Sequence, residues 1–264
     1  MNRSPLSKIN RFSFAILICL FIYGYIAKDN YRQVEEIHPD LYQEPIQTEA
    51  INKTPIRFEK DGYHYQITPL YDYELNAFIV SRRDYRWFSL KRTDNLYPLD
   101  LCLLWGDNVK NKLYQSKKLF FRQDSRQSSW RWLGDLGFNN NQAANVHLVI
   151  ENDSMQSQLD KLQIGDQIKI TGQLVNVKAK SIGETDFYEP SEVQLNTSTT
   201  RSDAGPGACE IINVKSVEVL KKANLPANSL FKFGYFSLIL FVISNIVVFF
   251  AATLIPPLDT YSTG

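Results

Sequence analysis

The stretch 233–255 reads FGYFSLILFVISNIVVFFAATLI, 23 residues without a charge. With a rise of 1.5 Å per residue, a helix of this length is about 34 Å long, which exceeds the roughly 30 Å hydrocarbon layer of a bilayer. We therefore predict a transmembrane helix over residues 230–255, followed by a C-terminal tail over 256–264.

A second apolar run lies near the start of the chain. We predict a first transmembrane helix over residues 12–28, preceded by a cytoplasmic segment, 1–11, that carries three basic residues and no acid. Basic residues are retained on the cytoplasmic side, so the chain beyond this helix is expected outside. A cleaved signal peptide is the alternative, but Tyr25 stands where a cleavage site needs a small residue, which favours an uncleaved anchor.

Charge is nearly balanced over the whole chain, with 29 Lys and Arg against 28 Asp and Glu. No basic run is long enough to follow a phosphate backbone, so we expect no nucleic-acid partner.

The region between the two predicted helices divides into an arm and a domain. Residues 29–57 are polar, contain three prolines and lack periodicity, which predicts a tether or partly ordered arm. Residues 58–222 consist of short β-branched or aromatic stretches separated by turn residues, which predicts a mainly β domain. The clearest strand is 167–175, where apolar and polar residues alternate and Gly172 predicts a bulge or bend.

One short helix is predicted at about 154–162. Asp153 can cap it, and Met155, Leu159 and Leu162 fall on one helical face. A capped helix, a Gly-Asp turn and a bulged strand are similar to the second half of an OB-like barrel. The predicted fold is therefore a small OB-like β-barrel or sandwich with one short helix, flanked by two transmembrane helices.

Four features stand out in the β domain: DLCLLWG at 100–106, NVHL at 145–148, Gly165-Asp166 followed by a strand, and STTRSDAGPGACE at 198–210. Together they resemble the recurring pattern of an uncharacterised family of bacterial membrane proteins, over about residues 63–220. The resemblance implies a bacterial envelope protein and carries no activity with it.

The predicted location is the bacterial inner membrane, with two spans, both termini cytoplasmic and the central domain periplasmic. Lys221, Lys222 and Lys232 precede the second span and by themselves would place the domain inside. Such counts are weak across loops longer than about 60 residues, so the N-terminus decides the orientation.

Cys102 and Cys209 are the cysteines outside the predicted spans. In an oxidising compartment they would most simply form a disulfide, worth about 4 kcal/mol in the chain-entropy model. Two buried free thiols are the alternative. The sequence contains neither a CxxC motif nor a close His pair, so we expect no metal site and no cofactor.

Cys209, His147 and Asp203 have the residue types of a nucleophile, a base and an orienting acid. The glycines just before Cys209 could leave backbone amides free for an oxyanion. Any chain of this size offers such a trio by chance, so a thiol enzyme or hydrolase is the alternative and His147 is first expected to be a hydrogen-bonded packing residue.

A structural role is predicted for the loop before Cys209. Arg201 and Asp203 are expected to pair across the turn that contains Gly205 and Gly207, and so to hold the loop that presents the cysteine.

The tryptophans fall into two pairs. Trp130 and Trp132 share one face of an extended segment and are the candidate sugar- or peptide-binding surface. Core packing is expected for Trp87 and Trp105.

Small and polar residues lie within the second predicted span. Asn245 and Ser244 would sit at mid-membrane, while Gly234 and Ser237 are small enough to let another helix approach. The partner is either the first span or another membrane protein.

We therefore predict a membrane-anchored extracytoplasmic binding or accessory subunit of an envelope membrane-protein complex, without catalytic activity. The alternatives are the Cys/His-dependent enzyme and a ligand-sensing barrel domain. The expected partners are the lipid bilayer and another membrane protein, bound through the second span.

Overall fold

A computed structural model of the chain describes residues 5–86, 89, 91–124, 126–184, 189–203, 205, 207–223 and 225–254. Strands account for 38% and helices for 31%, which confirms the mainly β class. The chain forms two units, one of residues 31–223 and one of its two ends. Trp87, the first four residues and the predicted tail at 256–264 lie outside the described residues.

The strands are β1 (Ile46–Glu49), β2 (Ile56–Lys60), β3 (Tyr63–Asp84), β4 (Leu99–Leu104), β5 (Leu119–Asp124), β6 (Gln127–Trp132), β7 (Ala143–Val149), β8 (Gln167–Ser181), β9 (Glu192–Leu195) and β10 (Glu210–Lys221). The α-helices are α1 (Pro5–Ala27), α2 (Asp107–Lys110), α3 (Asp153–Leu159) and α4 (Pro226–Leu254). Short 3-10 helices occupy Tyr31–Gln33, Pro39–Tyr42, Arg92–Asn95, Leu113–Gln115 and Asn140–Gln142.

Within the described residues, eight strands form one sheet in the order β1-β3-β4-β7-β10-β8-β9, with β2 paired to β3. The long strand β3 also pairs with β8, from Tyr63 opposite Ser181 to Phe78 opposite Gln167. Strands β7 and β10 are parallel, and the other pairs are antiparallel. Strands β5 and β6 form a separate hairpin.

The main hydrophobic core is built from alternate positions of these strands. Leu101, Val146, Ile170 and Ile212 come from four different strands, and all are fully buried. Burying each such side chain stabilises the fold by about 1.5–3 kcal/mol. The period-2 alternation predicted for residues 167–175 is thus confirmed.

The predicted short helix exists, but its start differs from the prediction. Helix α3 begins at Asp153, and the side chain of Asn152 caps it by accepting the N–H of Met155 at 2.9 Å. Asn152 therefore takes the role assigned to Asp153. Met155, Leu159 and Leu162 pack against the main core, as predicted from their spacing.

Gly172 marks a close approach of two strands. The extra residue lies in β10, between Val214 and Ser216, and so on the partner strand rather than at Gly172. A Cβ atom on Gly172 would lie 2.3 Å from the carbonyl oxygen of Asn213. Glycine is required because the neighbouring backbone occupies the place of a side chain.

The segment 29–57 differs from the predicted tether, because it packs into the β unit. Leu41 is fully buried, and β1 pairs with β3 from Ile46 opposite Glu74. Tyr114 donates its hydroxyl hydrogen to the carbonyl of Val34 at 2.7 Å. These contacts lie far apart in sequence, so the polar composition of the segment did not reveal them.

The two predicted apolar helices are present at the ends of the chain. Asn10–Ala27 in α1 and Pro226–Ala251 in α4 are long and apolar enough to cross a membrane. Both begin a few residues before the predicted bounds of 12–28 and 230–255.

Helices α1 and α4 pack against each other as an antiparallel pair. Asn10 donates its amide hydrogen to Oδ1 of Asn245 at 2.6 Å. Gly234 is buried, and a Cβ there would lie 3.1 Å from the backbone nitrogen of Phe21. The partner of these two predicted contact residues is thus the first span of the same chain.

Ser237 and Ser244 are the other two residues of α4 for which helix contact is predicted. Ser244 donates its hydroxyl hydrogen to the carbonyl of Phe241 at 2.9 Å, within its own helix. Ser237 is half-buried. Contact with α1 is therefore seen at Gly234 and Asn245.

Candidate active site

Strand β7 brings two polar residues to one face of the sheet. Asn145 and His147 alternate with apolar residues, so their side chains point to the same side. The register with β4 places Asp100 opposite His147 and Cys102 opposite Asn145.

Cys209 immediately precedes β10, on the other side of β7. The parallel register sets Glu210 opposite Val146, which places Cys209 beside Asn145. Its thiol is partly exposed, and its Sγ accepts the side-chain amide of Asn145 at 3.1 Å.

His147 connects Cys209 to a buried acid. Nδ1 of His147 lies 2.8 Å from Oδ1 of Asp100, which is fully buried. Because a carboxylate accepts hydrogen bonds, Nδ1 carries a hydrogen and Nε2 is the nitrogen left for Cys209. The three side chains thus form the series acid, imidazole and thiol.

The imidazole is held in its charged form. Burial lowers the pKa of His147, but its hydrogen bond with Asp100 and its contact with Cys209 outweigh burial and raise the pKa to about 9. At neutral pH His147 is therefore an imidazolium, with a proton available for a leaving group.

Arg126 binds the same carboxylate oxygen of Asp100 as His147 does. It lies in the turn between β5 and β6 with a positive φ of 71°, and its Nη1 donates to Oδ1 of Asp100 at 2.9 Å. Its Nη2 is 2.7 Å from Asp94, and its guanidinium stacks on Tyr85 and Tyr97, 3.6 and 4.4 Å from the ring centroids. A positive φ is uncommon at a non-glycine residue, and tight hairpin turns are one place where it occurs.

A cavity of about 660 Å³ opens beside the thiol. Its walls include Cys209, Asn145, Glu210, Trp130, Arg201 and Asp203. A larger cavity of about 770 Å³ borders β2, β3, β8 and β9, and none of its described lining residues is a cysteine. The smaller cavity is therefore the one that gives a ligand access to a nucleophile.

The predicted disulfide is not formed, since Cys102 and Cys209 are both free. Strand β7 lies between them, and adjacent strands are about 4.8 Å apart, so their Cα atoms are about 10 Å apart. A disulfide needs a Cα separation below about 7 Å. Cys102 is fully buried, and burial raises the pKa of its thiol to about 12, so this cysteine is not the nucleophile.

The acid of the predicted trio is also wrong. Asp100, on β4, contacts His147, whereas Asp203 lines the cavity wall. Among the described residues Arg201 and Asp203 do not form the expected pair, because Arg201 turns to the carbonyl of Pro45 at 3.4 Å.

The loop itself is anchored by its backbone. Gly205 and Gly207 adopt φ angles of 86° and 94°, which favour glycine, and Ala208 donates its N–H to Gly205 at 3.1 Å. Ser198 donates its N–H to the carbonyl of Cys209 at 2.8 Å. These contacts replace the predicted ion pair in presenting the cysteine.

Trp130 and Trp132 share one face of β6, as their spacing predicts, and both are half-buried rather than fully exposed. Both pack on Phe138, with ring centroids 6.5 and 5.2 Å away. Trp130 lines the cavity beside Cys209. Trp105 is fully buried, which confirms its predicted core position.

Sequence reasoning missed Asp100 and Arg126. Asp100 stands two residues before Cys102 in an otherwise apolar strand, as Asn145 stands two before His147. Polar residues at alternate positions of a buried strand were a usable signal. Arg126 had no local signal, because its partners are distant in sequence.

In the described part of the chain, no group of three or more His, Cys, Asp or Glu side chains is arranged to hold a metal ion. Comparison of the chain with models of protein families, with curated proteins and with solved structures finds no match.

Proposed function

We propose that this chain is a membrane-anchored thiol enzyme that catalyses acyl transfer, with hydrolysis of an ester, thioester or amide as the simplest reaction. The supporting observation is that buried Asp100 contacts His147 at 2.8 Å and that the partly exposed Cys209 lies close enough to the imidazole to raise its pKa. The adjoining cavity gives an acyl substrate room to reach the sulfur.

In the first step, the thiolate of Cys209 attacks the carbonyl carbon of the substrate. A carbon–sulfur bond forms, and the electron pair of the carbonyl double bond moves to oxygen. When the carbonyl reforms, the bond to the leaving group breaks and His147 gives that group its Nε2 proton. Asp100 stabilises the imidazolium and fixes its orientation.

In the second step, a water molecule attacks the thioester formed on Cys209. Neutral His147 takes a proton from the water, and the carbon–sulfur bond breaks. A carboxylic acid leaves, and the thiolate of Cys209 and the imidazolium of His147 are restored.

The test uses the full chain in mild detergent with p-nitrophenyl acetate, an activated acyl donor. We expect release of p-nitrophenolate and acetylation of Cys209, detected by mass spectrometry of the digested protein. Cys209→Ala should abolish both signals, whereas Cys102→Ala should retain the acetylation. Absence of acetylation at Cys209 of the wild-type protein would contradict the proposal.

A second candidate function is ligand binding without catalysis, as an accessory subunit of an envelope complex. The half-buried Trp130 on the cavity wall favours it, because aromatic side chains supply contact area for sugars or peptides. Co-purification of the chain with other membrane proteins, unchanged in the Cys209→Ala variant, would support this candidate over the enzyme.

We also propose that the β domain is an OB-like barrel and that it lies outside a bacterial inner membrane. Two features support such a barrel. Five strands close into a circuit through the pairs β3–β4, β4–β7, β7–β10, β10–β8 and β8–β3. Helix α3 lies between β7 and β8 in sequence. The basic N-terminal segment supports the orientation. The lipid bilayer and another membrane protein are the proposed partners.

A further inference from the structure

We infer that Asn145 is a further catalytic residue, the hydrogen-bond donor that stabilises the oxyanion formed when Cys209 attacks an acyl group. This inference rests on the proposed function, because it assigns a second role within the same reaction. Asn145 would be the fourth member of the site, beside Cys209, His147 and Asp100.

The side chain of Asn145 is fixed in one orientation. Its Nδ2 donates to Sγ of Cys209 at 3.1 Å and to the carbonyl of Arg126 at 2.9 Å. Its Oδ1 accepts the hydroxyl hydrogen of Ser128 at 2.8 Å. Asn145 is 4% exposed, so the amide is pre-oriented without substrate. Because the carbonyl of Arg126 can only accept a hydrogen bond, the amide atom that faces it is the nitrogen, and the atom that faces the Ser128 hydroxyl is the oxygen.

The amide is placed where negative charge moves during the attack. As the carbon–sulfur bond forms, the charge of the thiolate passes to the carbonyl oxygen, which is two bonds from the sulfur. A donor 3.1 Å from Sγ is within reach of that oxygen and can transfer its hydrogen bond to it. Asn145 keeps its hydrogen throughout, and removal of one such donor typically lowers kcat by about 10²–10³-fold.

The β5–β6 hairpin supplies the residues that position Asn145. Arg126 lies in its turn, and Ser128 lies on β6. The hairpin is separate from the eight-stranded sheet, yet its tip contacts both the donor and the buried acid Asp100. Ser128 and Arg126 are therefore positioning residues.

The test compares two reactions of Cys209 in Asn145→Ala. Acylation by p-nitrophenyl acetate develops an oxyanion, whereas alkylation by iodoacetamide forms a carbon–sulfur bond and expels iodide without one. We expect acylation to slow about 10²–10³-fold and alkylation to change less than about threefold. Asn196→Ala, an exposed amide outside the cavity lining, is the matched control and should leave both rates unchanged.

Each outcome separates the inference from the proposed function. Equal loss of both reactions, or loss of neither, would overturn the role of Asn145 while leaving Cys209 as the nucleophile. A wild-type protein that is alkylated but never acylated would overturn the proposed function and with it this inference. If Asn145→Ala does not fold, Ser128→Ala supplies the test, with a loss of about tenfold in acylation alone.

Discussion

At the scale of single residues, Asp100 and Asp203 are the two acids that could orient His147, and only Asp100 contacts it. We expect Asp100→Asn to lower kcat/KM by about 10³-fold, because an amide cannot stabilise the imidazolium and favours the wrong tautomer. Asp203→Asn should cost less than about tenfold. Steady-state hydrolysis of p-nitrophenyl acetate measures both variants, and a larger loss in Asp203→Asn would refute the assignment.

The proton on His147 sets the expected pH dependence of activity. Since the pKa of His147 is raised to about 9, the imidazolium loses its proton as the pH rises through that value. We therefore expect kcat/KM to fall above about pH 9. In Asp100→Asn this alkaline limb should move to lower pH, because the hydrogen bond with Asp100 is what chiefly raises the pKa. A limb that does not move would contradict the contact.

Glu210 makes stability depend on pH. Burial raises the pKa of its carboxyl from 4.5 to about 7, with Asp203 also raising it and Tyr73 and Arg201 lowering it. The protonated form is favoured in the fold, so its contribution is fully present below pH 4.5 and is lost as the pH rises through 7.

Glu210→Gln tests this dependence. Relative to this variant, the wild-type free energy of unfolding should fall by up to about 3 kcal/mol between pH 4.5 and 7.5. Denaturant unfolding at several pH values measures the difference. Glu192→Gln, at an exposed position of β9, is the control and should follow the wild type. If the free energy of unfolding varied with pH in the same way for all three proteins, the pKa of Glu210 would not be raised in the fold.

At the scale of elements, the pairing of β8 with β10 depends on the missing side chain of Gly172. We expect Gly172→Ala to destabilise the fold by about 2–4 kcal/mol, because the new Cβ would lie 2.3 Å from a backbone oxygen. Gly183→Ala is the control, since a Cβ there meets no described atom within 4 Å. Thermal unfolding compares the two, and equal effects would show that β10 shifts at little cost.

At the scale of the whole molecule, the orientation across the membrane is the main prediction. Alkaline phosphatase inserted within the β5–β6 hairpin should be active, because the basic N-terminal segment stays inside and places the hairpin in the periplasm. A fluorescent protein that folds only in the cytoplasm should remain dark at the same position. Protease protection of spheroplasts is an independent measurement. The opposite pattern would remove the envelope location but not the thiol chemistry, which depends only on the site.

Much of the architecture followed from local patterns along the chain. The two uncharged stretches predicted the long helices, and alternation predicted strand β8 and its buried face, because these signals depend on neighbouring residues alone. The sequence offered the first span as one of two possible partners of Asn245. Only the packing of α1 against α4 shows that Asn10 is the residue it contacts.

By itself the sequence determined two apolar helices, a mainly β domain between them, and the presence of a cysteine and a histidine of the right types. Only the tertiary structure decided that Asp100 rather than Asp203 serves His147, that Arg126 and Asn145 belong to the site, and that β7 separates the two thiols. The physical reason is that strand pairing sets which distant residues become neighbours. Asp203, two residues before a glycine, and Asp100, on another strand, are equally plausible partners of His147 until the strand register is known.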